Sequence, residues 1–187
     1  MIFIKSDKPD KNSNSRWVIT ITIITFITSM FLSYLTSELS HRLSWYFAVA
    51  VLFIIIFIGI IFDILGMAIT TADETPFHAL ASKKARGAKQ AIRLLRNAEK
   101  MSNFCNDVIG DIAGIISGST TAVIVVYLAG LLRLHNDMII SMVLTAVTAA
   151  LTVGGKAVGK TIAIKNANSI VFSFAKMICF FSINKKK

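Results

Sequence analysis

The stretch "SWYFAVAVLFIIIFIGIIFDILGMAITT", residues 44–71, decides the fold: only Asp63 interrupts its uncharged run. About 20 apolar residues in a helix cross the roughly 30 Å of bilayer hydrocarbon. Three further blocks repeat the pattern. Residues 17–39 carry no charge before Glu38, Val108–Leu132 carries only Asp111, and Met138–Gly155 carries none. The chain reads as an all-α integral membrane protein with about four transmembrane helices, near 17–39, 44–71, 104–132 and 137–158. A hydrophobic content of 55% and a mean hydropathy of +0.68 exclude an ordinary soluble domain.

Lys5, Lys8, Lys11 and Arg16 precede the first block, as they would in a secretory signal. Its apolar part is too long for a signal core, and no small-x-small cleavage site follows. Residues 17–39 are therefore predicted to be a retained span behind a basic N-terminus, 1–16.

The net charge of +10 is placed by topology rather than by nucleic acid. Of the twenty Lys and Arg, four precede the first span, seven lie between Lys83 and Lys100, and seven follow from Lys156. Four spans put these three segments on one side, as the positive-inside rule requires. Both termini and the middle loop are expected to be cytoplasmic, in the inner (plasma) membrane, with anionic headgroups attracted to the basic segments.

In the middle loop, Thr75-Pro76 gives a cap and a first-turn proline. Ala85, Ala88, Ile92, Leu95 and Ala98 then fall on one helical face, with Lys89, Arg93, Arg96 and Lys100 on another. An amphipathic juxtamembrane helix over 76–101 is predicted, with Gly87 marking a bend between two shorter helices. The apolar segment "SIVFSFAKMICFFSIN", 169–184, is short for a span and is expected to be a C-terminal interfacial helix leading into a basic tail, 178–187.

"GGKAVGKT", 154–161, has the G-x-x-x-x-G-K-T spacing of a phosphate-binding loop. It follows a span instead of a buried strand, and no α/β domain surrounds it, so nucleotide hydrolysis is not expected. Cys105, Cys179 and the three histidines form no ligand or catalytic constellation. The chain is expected not to be an enzyme and to hold no cofactor.

Gly110, Gly114 and Gly118 form a small-residue row, continued by Ala146, Ala150 and Gly154 in the last span. Such rows let helices approach closely. They are expected to join the third and fourth spans, or one span to its copy.

Ionisable residues at membrane depth usually face partners or a polar cavity. Asp63 lies inside the second span, Asp107 and Asp111 at the start of the third, Lys156 and Lys160 at the end of the fourth. Two readings stand. The carboxylates with nearby Asn and Ser oxygens form a site for a hard cation such as Mg2+, or Asp–Lys pairs neutralise each other and fix the packing.

The runs "FDILGMAITTADETPFHALASKKARGAKQAIRLLRNAEKM", "CNDVIGDIAGIISG" and "GKAVGKTIAIKNANSIVFSFAKM" resemble the transmembrane domain of the cyclin-M/CorB/CorC magnesium transport family, over about 45–177. The resemblance implies a domain over 44–177 with three core spans, a juxtamembrane helical collar, a homodimer and a cation site between the spans. Phe62, Ala68, Gly87, Ala91, Leu95, Asn106, Gly155, Lys160, Thr161 and Ala163 match its motifs. The ion-site motif is degenerate: Asp63 stands for a serine, Gly66 and Lys156 for glutamates, Gly110 for an asparagine and Gly159 for a proline. A lysine at 156 would occupy or repel a cation, and Asp63 is the candidate for the displaced acid. The candidate metal ligands are thus Asp63, Asn106, Asp107 and Asp111, with Lys156 and Lys160 as counter-charges. The span 17–39 is extra to that core, and the paired CBS modules that usually follow are expected to be absent, with no regulation by nucleotide. The expected function is divalent cation (Mg2+) transport or homeostasis. The alternative is a non-transporting scaffold or regulator that partners a full-length homologue.

Overall fold

The computed structural model describes residues 11–42, 45–132 and 137–184. The basic residues before 11, Arg133, His135 and the terminal lysines 185–187 lie outside the described residues. All regular structure among the described residues is helical: α1 (Lys11–Arg42), α2 (Trp45–Thr71), α3 (Thr75–Ser82), α4 (Ala88–Arg96), α5 (Ala98–Asn103), a π-helical turn (Phe104–Ile109), α6 (Gly110–Leu132), α7 (Asp137–Lys165) and α8 (Ala167–Asn184). Within hydrocarbon a helix satisfies its own backbone groups. Neither proline, Pro9 or Pro76, falls in a span to interrupt that ladder.

Three helical stretches are long and apolar enough to cross a membrane: Trp45–Thr71, Ala98–Leu131 and Met138–Lys165. The expected extra span, 17–39, is helical within the continuous α1 and includes the apolar helical stretch Val18–Phe31. The last span was expected to end near 158; α7 continues to Lys165, its cationic residues carrying the helix beyond the apolar block. Residues 154–161 are helical throughout, so they lack the strand–loop–helix form of a phosphate loop.

α2 is the central element, packed against both α6 and α7. Three glycine contacts set those distances. A Cβ at Gly59 would come within 3.0 Å of the Ala113 Cβ on α6. On α7 a Cβ at Gly159 would lie 2.7 Å from Ile64 Cγ1, and one at Gly155 would overlap Ile60. Of the glycines in the expected row, only Gly110 approaches α7, at Lys156, whereas Cβ atoms at Gly114, Gly118 and Gly154 would meet nothing within 4 Å. α6 and α7 are joined instead by a buried hydroxyl pair, Thr121 Oγ1 to Thr148 Oγ1 at 3.1 Å. A small-residue pattern licenses close approach, and the partner is chosen by the rotation of the helix. Gly159→Leu is expected to push α7 from α2 and to cost about 1–3 kcal/mol, as overpacking does, measured by unfolding in mixed micelles.

The largest apolar cluster is not midway along the spans but at one end. Leu65, Ala68 and Ile69 of α2 meet Phe77 of α3, Ala91 and Leu94 of α4, and Val171 and Ala175 of α8. In this collar the amphipathic segment expected over 76–101, with two shorter helices meeting at Gly87, is divided into three short helices, α3, α4 and α5. The chain breaks at Lys83–Gly87, where Lys84 (φ 55°) and Gly87 (φ 90°) are left-handed, and again at Asn97. Because α4 restarts at Ala88, its buried face is Ala88, Ala91 and Leu94, rotated from the face counted through the break. α8 docks on this collar through Ala167, Val171 and Ala175, leaving Met177 and Phe180 exposed. That is the packed form of the short apolar C-terminal helix, and it runs on to Asn184.

Asp73, not Thr75, caps α3. Its Oδ1 accepts from the Thr75 backbone N–H at 3.0 Å and from the Thr75 hydroxyl at 2.9 Å. These bonds hold the Asp73 carboxyl below its ordinary value of 3.8. A lowered pKa in the folded state contributes stability above the unfolded value, so this cap persists at neutral pH and is lost only on acidification below 3.8. The Asp73 backbone N–H donates to Asn168 Oδ1 at 2.9 Å, tying the loop to the start of α8.

Candidate functional site

Asp63 is the one acid inside the apolar stretch of α2, and it is 5% exposed. A carboxylate so placed needs a cation or a dense set of donors. α7 supplies cations: Lys156 Nζ lies 3.9 Å from Asp63 Oδ1, and Lys160 Nζ lies 4.0 Å from Oδ2. One helical turn separates the lysines, so both reach the same side chain. The Gly155 and Gly159 contacts with α2 bring their stems close enough to do so.

These pairs are long. A charge-assisted N–H···O bond is about 2.7–2.9 Å, and Asp63 Oδ2 makes no hydrogen bond. The lysines therefore neutralise the carboxylate through the field and leave one of its oxygens unbonded. Gly110 on α6 completes the junction, since a Cβ there would touch Lys156 Nζ at 3.5 Å. α2, α6 and α7 thus meet around one ammonium group.

A second uncompensated oxygen lies one turn along α2. Asn106, in the π-helical turn, donates through Nδ2 to Ser102 Oγ at 3.2 Å, while its Oδ1 is buried without a partner. That oxygen occupies the space a side chain at position 66 would fill, and only glycine admits it. π-helical turns carry i→i+5 bonds and occur often at functional sites; here the turn delivers Asn106 to α2. Sequence reading did not single out Ser102, and it placed Gly66 and Gly110 in the ion-site motif without the space they leave for Asn106 and Lys156. The Ser102/Asn106 i,i+4 spacing was the available signal.

The predicted acids do not all assemble. Asp63 and Asn106 sit against neighbouring turns of α2, with Lys156 and Lys160 at Asp63, whereas Asp107 and Asp111 face outward and are exposed. Among the described residues no group of three His, Cys, Asp or Glu side chains is arranged to hold a metal ion. The Asp–Lys contacts of the sequence reading are present as the two long pairs of Asp63 with Lys156 and Lys160. Cys105 is buried and Cys179 half-buried, both as free thiols.

Chemically, the cluster holds one carboxylate and two ammonium groups around two buried, unbonded oxygens. A hard cation would find oxygen ligands there, but it would have to displace the lysines from Asp63. Lys160, whose side chain is 47% exposed, is the freer of the two.

No curated protein and no solved structure matches the chain significantly. A family profile does match: the cyclin M transmembrane N-terminal domain, over residues 50–184, which contain the Asp63 cluster, the collar and α8. This match covers well over half of the chain, so the protein belongs to the cyclin M transmembrane domain family, membrane proteins associated with metal transport.

Proposed function

We propose that this protein serves divalent cation homeostasis, Mg2+ being the candidate ion, with Asp63 as the ion-facing carboxylate and Lys156 and Lys160 as tethered competitors for it. The observation that carries this reading is the buried Asp63 with an unbonded Oδ2, flanked at 3.9 and 4.0 Å by ammonium groups. Buried charge inside a span is costly unless it is used or paired. Here the pairing is loose enough for an incoming cation to exchange with it. Asn106 Oδ1 is the further oxygen beside that carboxylate, and no resident cofactor or enzymatic step is invoked.

The arrangement in the membrane follows the charge asymmetry. The collar, with Lys83–Lys100 and α8, faces the cytoplasm of the inner (plasma) membrane, together with both termini. A homodimer fits the exposure of α7, which buries few residues in its apolar window. Gly114, Ser117, Gly118 and Thr152 also line an open groove of about 250 Å³ between α6 and α7.

Mg2+ flux into liposomes is expected with wild type and is expected to fall to the level of empty liposomes with Asp63→Asn. Lys160→Ala is expected to raise flux at low Mg2+ by removing one competitor. The same lysine geometry favours a second reading, a non-transporting regulator that pairs with a full-length homologue. Absence of flux from wild type, with cellular Mg2+ tolerance unchanged by Asp63→Asn, would overturn transport and leave the regulator.

A further inference from the structure

We infer that the collar contains a binding site for an anionic phospholipid, formed by Gln90, Arg93 and Lys100 around an open groove that Ile178 of α8 borders. The groove holds about 440 Å³ between α4, α5 and α8, within the roughly 300–1,000 Å³ usual for small-ligand sites. Its apolar wall is Leu94, Met101 and Ile178.

The charge is one-sided. Arg93 and Lys100 both line the groove, no carboxylate does, and neither side chain makes a hydrogen bond or ion pair among the described residues. Arg96 on the same helix behaves differently, with its Nε bonding Glu74 Oε1 at 3.2 Å outside the groove. Two unpaired cations with the Gln90 amide beside them suit a phosphate, which takes charge-assisted bonds from several donors.

A second groove argues for a lipid over a soluble phosphate. About 280 Å³ of space lies between α1 and the π-helical turn, lined by Ile21, Ile24, Phe104 and Val108. Lys100 and Met101 line both spaces, so a charged groove and an apolar groove adjoin at one pair of residues. That pair stands in the first turn of the spanning stretch Ala98–Leu131, at the membrane boundary. A headgroup at Arg93 and Lys100 would direct an acyl chain along Ile21 and Ile24 into the bilayer. Basic pockets at the ends of spans bind anionic headgroups in this manner.

The test uses the full chain in neutral detergent, titrated with phosphatidylglycerol or phosphatidylcholine of identical acyl chains and read by native mass spectrometry. Phosphatidylglycerol is expected to bind saturably and more tightly than phosphatidylcholine, and glycerol 3-phosphate is expected not to displace it. Each basic residue near the surface contributes about 1 kcal/mol, so Arg93→Gln and Lys100→Gln should each weaken phosphatidylglycerol binding about 5-fold, and together about 25-fold. Arg96→Gln should leave it unchanged, and Arg93→Lys should retain the preference. The preference is a ratio of two lipids, so general damage to the fold lowers both and does not imitate the result. Equal binding of the two lipids, a wild-type preference in the double variant, or displacement by glycerol 3-phosphate would each overturn the assignment.

Discussion

Replacing Lys156 and Lys160 together by methionine is expected to destabilise the protein by about 3–5 kcal/mol, the range for stripping a buried charge of its partner. Methionine keeps the length and apolar character of the lysine stem, so the change isolates charge. What remains is the Asp63 carboxylate, 5% exposed, inside an apolar helix with both ammonium groups removed. Either single substitution should cost less, because one ammonium stays at 3.9 or 4.0 Å. Adding Asp63→Leu to the double variant removes the stranded charge and should recover most of the loss. Asp63→Asn alone should cost less than the lysine pair, since the two freed ammonium groups, 26% and 47% exposed, can extend toward water on their stems. Unfolding in mixed micelles of rising dodecyl sulfate content, followed by circular dichroism, ranks the variants. A lysine-pair variant as stable as wild type would show that Asp63 does not depend on α7.

Gly87→Ala is expected to cost about 2–5 kcal/mol through two additive terms. The backbone at Gly87 has φ 90°, and a left-handed conformation costs an L-residue about 1–2 kcal/mol. A Cβ there would also lie 3.0 Å from the Lys176 backbone N and 3.1 Å from its Cα. Main chain in α8 cannot rotate aside as a side chain would, so overpacking of about 1–3 kcal/mol is added. The visible result should be release of α8: trypsin cleavage at Lys176, whose Nζ now lies 4.3 Å over the Phe172 ring, becomes faster as the melting temperature falls. Gly114→Ala is the matched control. Its Cβ meets nothing within 4 Å, so it should be neutral or stabilising by up to about 1 kcal/mol from helix propensity. Equal melting of the two variants would mean that α8 does not close over Gly87.

The spans were legible because hydrophobic length is a one-dimensional quantity: the block 44–71 became the helix Trp45–Thr71 almost residue for residue. The pairing of Asp63 with lysines was legible too, since an acid in hydrocarbon demands a cation and the i,i+4 lysines were the nearest supply in the fold. What failed was helical phase. Counting from the apolar face of α6 could not foresee a π-helical turn over Phe104–Ile109, which inserts extra rotation. Asn106 is thereby turned to α2 while Asp107 and Asp111 turn outward. In the collar the break at Gly87 was legible from the glycine, whereas the second break, at Asn97, carries no such signal. The glycines of "GGKAVGKT" were noticed for their spacing, yet their use lies in what they omit: Gly155 and Gly159 leave room for Ile60 and Ile64.

The seating of α8 on the collar also has a consequence for how the protein is made. Val171 and Ala175, fully buried against residues of α2, α3 and α4, belong to the last helix of the described chain. Synthesis proceeds from the N-terminus, at roughly 5–20 residues per second. Until α8 emerges, Phe77, Ala91 and Leu94 present an uncovered apolar face at the edge of the bilayer. A chain released after Asn166 would therefore keep its spans and leave its collar open, a surface that chaperones and membrane proteases recognise.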